Sequence, residues 1–128
     1  MNIGTAVRGA RAALGMRSAE AAGRIGISPT YLTRIEIGHQ APSPRVEHQI
    51  ARGLKTTVLS LKLRATAEHL AADCLAGEYS ALDDDASATL IELSLTLAEL
   101  ADDAADIDER NRPLTHRERA RRLFGSSR

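Results

Sequence analysis

The side chains with the clearest chemistry in this sequence lie between Gly15 and Pro44. Arg34 carries a planar fork of N–H donors and is the one group there able to make a bidentate contact with guanine O6 and N7. Thr30 and Thr33 can hydrogen-bond a base or touch a thymine methyl, and Pro29 offers apolar contact alone. A helix that buries Leu32 and Ile35 on one face turns these polar side chains to the other. Other chemistry is poorly supplied. No nucleophile sits beside a base in a motif, no Gly-rich loop leads from a strand into a helix, and no ligand cluster has metal spacing, so no catalytic activity, metal or cofactor is expected. His69 and Asp73 are four residues apart with Cys74 adjacent, yet a third ligand would approach at a poor angle, and core packing suits Cys74 better. The aspartates at 83–85 have no apolar surroundings to raise a pKa and belong at the positive end of a helix.

The elements that must hold Arg34 and the threonines can be read from caps and stripes. Ser28 can cap a helix N-terminus, Pro29 suits the first helical position, and Ile27 and Leu32 are spaced as a hydrophobic staple. Upstream, Ala19, Ala22 and Ile25 form a small apolar stripe on a helix over about 18–25, and Gly26 supplies the tight turn. Two crossing helices with small residues at the crossing and polar side chains on the second make a helix-turn-helix. Helix one spans about 3–14, with Ile3, Val7, Ala10 and Leu14 along one side. Gly38 ends the second helix of the motif, and Ser43 and Pro44 open a fourth whose inner row is Val46, Ile50 and Leu54.

The run GISPTYLTRIEIG followed by APSP resembles the Cro-like (XRE) phage-repressor helix-turn-helix family over about residues 3–60. The family's recognition helix has Ser, an apolar residue, Ser or Thr, another apolar residue, Glu and Gly where this chain has Ser28, Leu32, Thr33, Ile35, Glu36 and Gly38. The resemblance implies double-stranded DNA as partner, with the helix from Pro29 in the major groove and Pro29, Thr30, Thr33 and Arg34 toward the bases. It also implies a structural ion pair between Arg11 and Glu36 that fixes the tilt of that helix. Phosphate contacts would come from His39 and Ser43 in the loop after the recognition helix and from Arg45 just beyond it. The chain departs from the family at the start of helix two: Ser18 stands where Gln usually fastens the helix to a phosphate, and Arg17 replaces a small capping residue. Both remain phosphate candidates, since free N–H groups at a helix start bind anions. Tyr31 has two readings, a wedge against sugar-phosphate or a cover for the core edge. Arg8 likewise is either a solvated charge or a phosphate contact.

Charge divides the remainder. Residues 1–64 carry +7, residues 65–109 carry −13 and residues 110–128 carry +6, so a net charge of zero conceals basic, acidic and basic blocks. The basic front suits a polyanion. With 2% aromatics, no Trp and much Ala and Leu, an all-α core is expected. A lone cysteine excludes an intramolecular disulfide, and no apolar run approaches membrane-spanning length, so a cytoplasmic, nucleoid-associated protein is expected. The expected architecture is all-α: a compact head of four to five helices (1–56), an acidic helical hairpin for dimerisation (57–109) and a basic tail (110–128) with a short Arg-rich helix signalled by Leu114, Thr115, Glu118, Leu123, Phe124 and Gly125. In the hairpin, Ala86, Leu90, Leu93, Leu97, Leu100, Ala104 and Ile107 repeat at 4, 3, 4, 3, 4, 3, a heptad seam with Ile91, Leu95 and Ala98 flanking it. This apolar surface exceeds what one hairpin hides, so a homodimer through Leu90, Leu93, Leu97, Leu100, Ala104 and Ile107 is expected.

Two functions fit. One is a homodimeric, sequence-specific transcriptional repressor whose two heads read a pseudo-palindromic operator. The other is an antitoxin-type autoregulator whose acidic hairpin or basic tail binds and neutralises a protein partner.

Overall fold

The computed structural model describes residues 2–78 and 80–105 and, in the tail, residues 117, 120, 121 and 123. Ile107 of the seam and the Leu114, Thr115, Glu118, Phe124 and Gly125 signals of the tail lie outside them. The described chain is all-helical: α1 (Gly4–Ala13), α2 (Ser18–Ile25), α3 (Pro29–Glu36), α4 (Pro44–Gly53), α5 (Val58–Leu75) and α6 (Asp84–Ala105).

Side chains placed for the purpose begin most of these helices. Ser28 Oγ accepts from Tyr31 N at 3.1 Å, Ser43 Oγ from Val46 N at 3.3 Å, Thr57 Oγ1 from Ser60 N at 3.0 Å and Asp83 Oδ1 from Ala86 N at 2.8 Å. Gly26 ends α2 at φ 90° and Gly38 follows α3 at φ 83°, left-handed positions where a Cβ is costly. The turn after α4 has the same form, with Thr56 N reaching back to Ala51 O at 2.9 Å, but the left-handed residue is Lys55 at φ 56°. Lys55→Gly is therefore expected to raise stability by about 0.5–1 kcal/mol, seen as a higher urea midpoint with unchanged slope.

The core sits where the first five helices meet. Val7, Leu32, Ile35 and Ile50 are its largest fully buried side chains, joined by Ile3, Met16, Ile25 and Leu54, and by Leu61 and Ala65 from the start of α5. Each of the Val, Leu, Ile and Met side chains contributes about 1.5–3 kcal/mol through burial. The long fifth helix is thus part of the head's core before it becomes one arm of the hairpin. In α2 the buried residues are Ala21, Ala22 and Ile25, while Ala19 is exposed. The stripe is rotated from that expected because α4 crosses at the Ile25 end: a Cβ on Gly53 would stand 2.8 Å from Ile25 Cγ1 and 2.9 Å from its Cα.

Small residues and polar bonds join α5 to α6. Ser60 Oγ donates to Ala101 O at 2.7 Å, Thr57 Oγ1 donates to Ala104 O at 2.9 Å, and Arg64 pairs with Asp102. These contacts take up the inner part of the expected seam. Ala104 is buried inside the hairpin and Leu90 and Leu97 are half-buried on the same side, so Ala104 is not open to a second copy. Leu93 and Leu100 are exposed. A heptad row spans a wide arc of the helix, and α5 occupies only its inner edge. No helix among the described residues is long and apolar enough to cross a membrane.

Candidate nucleic-acid interface

The α2–turn–α3 unit owes its rigidity to three devices. Gly26 makes the turn, Ser28 and Pro29 start α3, and fully buried Leu32 and Ile35 hold α3 on the core. The remaining face of α3 is then fixed by helical period alone: Pro29, Thr30, Thr33 and Arg34 are all exposed on it. Thr33 Oγ1 donates to Pro29 O at 3.0 Å within the helix, leaving its methyl and oxygen lone pairs for an incoming group. The Thr30 hydroxyl has no hydrogen-bond partner and Arg34 no carboxylate partner among the described residues, so both side chains carry unspent donors.

Tyr31 is half-buried and packs against the core cluster, which favours the covering role of its ring. Arg17 is exposed at the N-cap of α2 in an extended conformation and makes no side-chain capping bond; Ser18 is half-buried behind it. The N–H groups of Ser18, Ala19 and Glu20 precede the α2 backbone ladder, so this end presents free donors, with Glu20 the one carboxylate in that turn. After α3, His39 and Gln40 turn their N–H groups inward to Arg34 O, at 2.9 Å and 3.2 Å. The loop therefore offers fewer donors than its length suggests: the N–H groups of Ala41 and Ser43 are not taken up by any backbone carbonyl among the described residues. The Ser43 hydroxyl caps α4, while His39 and Arg45 are exposed.

Arg11 and Glu36 are brought together from α1 and the last residue of α3. Arg11 Nε and Nη2 donate to the two carboxylate oxygens of Glu36, each at 2.9 Å, and Nη1 donates to Met16 O at 3.1 Å. Their side chains are 17% and 7% exposed, so this is a part-buried, two-pronged pair and not a surface contact. Hydrogen bonding to Glu36 raises the Arg11 pKa above its ordinary value despite the opposing effect of desolvation, so the guanidinium stays charged at any working pH. The pair pins the C-terminal end of α3 to α1 and Met16.

One contributor carried a signal that the sequence reading did not use. Asn2 Oδ1 accepts from Gly4 N at 2.7 Å, and a Cβ on Gly38 would strike the Asn2 amide, so Asn2 caps the start of α1 while lying against the turn that follows α3. An Asn two residues before a helical glycine is an Asx-turn signal.

Against known families, residues 2–62 match the model described as a helix-turn-helix domain. Neither the curated proteins nor the solved structures give a match. The matched segment ends within α5, past the point where Leu61 joins the head's core.

Proposed function

Residues 2–62 form a helix-turn-helix domain, and from that premise we propose that the protein is a sequence-specific DNA-binding transcriptional regulator, acting as a homodimer that represses by occupying a pseudo-palindromic operator. The observation that carries this reading is α3: four short or planar side chains suited to base edges are exposed on one face of a helix whose other face is fully buried. A rigid helix presenting Arg34 beyond Thr30 and Thr33 fits the major groove. Arg17, Ser18, His39, Ser43 and Arg45 flank it at two neighbouring helix starts and a loop, where they serve the phosphates. The +7 charge of residues 1–64 supplies the sequence-independent attraction, and the acidic block points the remaining chain away from the duplex.

The test is fluorescence anisotropy on DNA upstream of the protein's own gene and on a scrambled duplex, across a salt series. An operator-binding regulator prefers the former by at least about 10³-fold, and the preference survives as salt rises. Equal affinities that collapse together with salt would defeat the reading for that DNA. On the bound site, Arg34→Ala is expected to cost about 1–3 kcal/mol and to flatten discrimination at one base pair per half-site. Arg45→Ala is expected to weaken all sequences alike and lower the salt slope by about 1.

A further inference from the structure

The hairpin has two long sides besides its helix–helix contact, and they differ. On α5, Leu61 and Ala65 enter the head's core, and Thr57, Ser60 and Arg64 reach α6. Leu63 and Leu70 lie two residues, or about 200° of helix, on from Leu61 and Glu68, which places them on the side away from the head together with Leu59. On α6, Ala105 lines the groove against α1, which puts Ala98 and Ile91, one and two heptads earlier, on the head side. Leu93 and Leu100, two residues further round, then share the outward side with Leu59, Leu63 and Leu70. Along this outward stripe, 59, 63, 66 and 70 are Leu, Leu, Thr and Leu, and 86, 93 and 100 are Ala, Leu and Leu, with no ionisable residue between them. Leu59 is 42% exposed and Leu93 and Leu100 are each 47% exposed.

Resting on the homodimer reading above, we infer that a second copy of this chain covers that outward stripe as a symmetric four-helix bundle, with α5 of each copy lying across α6 of the other. Size supports a second copy. The 18 residues of α5 make a slab about 27 Å long, and two helices about 9 Å apart make it about 20 Å wide. That footprint is of the order that a standard interface takes from each partner, about 800 Å² of accessible surface. Charge selects the arrangement. α6 has no Lys or Arg, and its outer edge carries Glu92, Glu99 and Asp103, so α6 against α6 would set carboxylates against carboxylates. The outer edge of α5 is mixed in sign: Lys62, 58% exposed, stands 3.8 Å from Glu47, and His69 stands 3.4 Å from Asp73, so this edge sets no purely acidic row against the opposing carboxylates.

Analytical ultracentrifugation of the full chain and its variants, with helicity checked by circular dichroism, decides the matter. The full chain should be a dimer. Leu93→Asp with Leu100→Asp should raise the dimer Kd by at least about 100-fold with helicity unchanged. Leu59→Asp on α5 should do the same, whereas Ile91→Asp with Leu95→Asp, on the head side, should leave the dimer intact. A wild-type monomer would end the homodimer reading and this inference with it. A wild-type dimer that survives Leu93→Asp with Leu100→Asp, survives Leu59→Asp, or dissociates with Ile91→Asp and Leu95→Asp would overturn the outward stripe while leaving the homodimer standing.

Discussion

Gly4→Ala should lower the stability of the head by about 1–3 kcal/mol, although alanine is ordinarily the better helix residue. A Cβ there would strike Ile35 O and stand 2.8 Å from Glu36 O, so it meets the backbone of α3 and not the movable end of a side chain. Two helices would have to part to admit one methyl group, and the helix displaced is the one that bears Arg34. Gly9, one turn and a half along α1, provides the control. Nothing lies within 4 Å of a Cβ at Gly9, so Gly9→Ala should gain about 0.5–1 kcal/mol from reduced backbone freedom of the unfolded chain. The same chemical change in one helix should thus shift the denaturation midpoint in opposite directions, at constant slope. Equal shifts for the two variants would mean that α1 and α3 do not approach as closely as the structure shows.

Much of this fold was legible because its helix ends are chemical. Ser28–Pro29 and Ser43–Pro44 announce starts through their own hydrogen-bonding groups, and Gly26 and Gly38 announce stops through their backbone freedom, so the bounds of these helices are legible to within a residue or two. What periodicity does not encode is where a neighbouring helix sits. In α2, alanines at 19, 21 and 22 offer alternative stripes; with Ile25 packed against Gly53 of α4, Ala21, one turn before Ile25, is buried and Ala19 is not. In α6, leucines cover so wide an arc that the seam could be drawn through Leu90, Leu93, Leu97 and Leu100 alike. The polar bonds from Ser60 and Thr57 place α5 on the Leu97–Ala104 side and leave Leu93 and Leu100 open. The face of α3 was readable from Leu32 and Ile35, whereas the inward turn of the His39 and Gln40 amides and the use of the Thr33 hydroxyl within α3 depend on local backbone geometry that residue types leave open.

Breaking the Arg11–Glu36 pair from one side should be the other large effect. Glu36→Gln is expected to cost about 2–4 kcal/mol, because it leaves a guanidinium that is only 17% exposed facing a neutral amide. The loss comes from the stranded charge more than from the pair's own attraction, and that distinction can be measured. Arg11→Met with Glu36→Leu removes both charges, keeps the net charge at zero and fills the space with apolar atoms; Met16 O then loses its Arg11 donor, a cost of about 1–2 kcal/mol. The double variant should therefore lose no more than about half of what Glu36→Gln loses. Recovered stability also separates holding the head together from fixing the tilt of α3. If the two-pronged geometry fixes that tilt, the stable double variant will keep its affinity for scrambled DNA and its salt slope, since the Arg11 donors are committed to Glu36 and Met16 O, while its preference for the proposed operator falls. If preference returns together with stability, apolar packing between α1 and the end of α3 is enough to aim the helix, and the pair's directional hydrogen bonds serve stability alone.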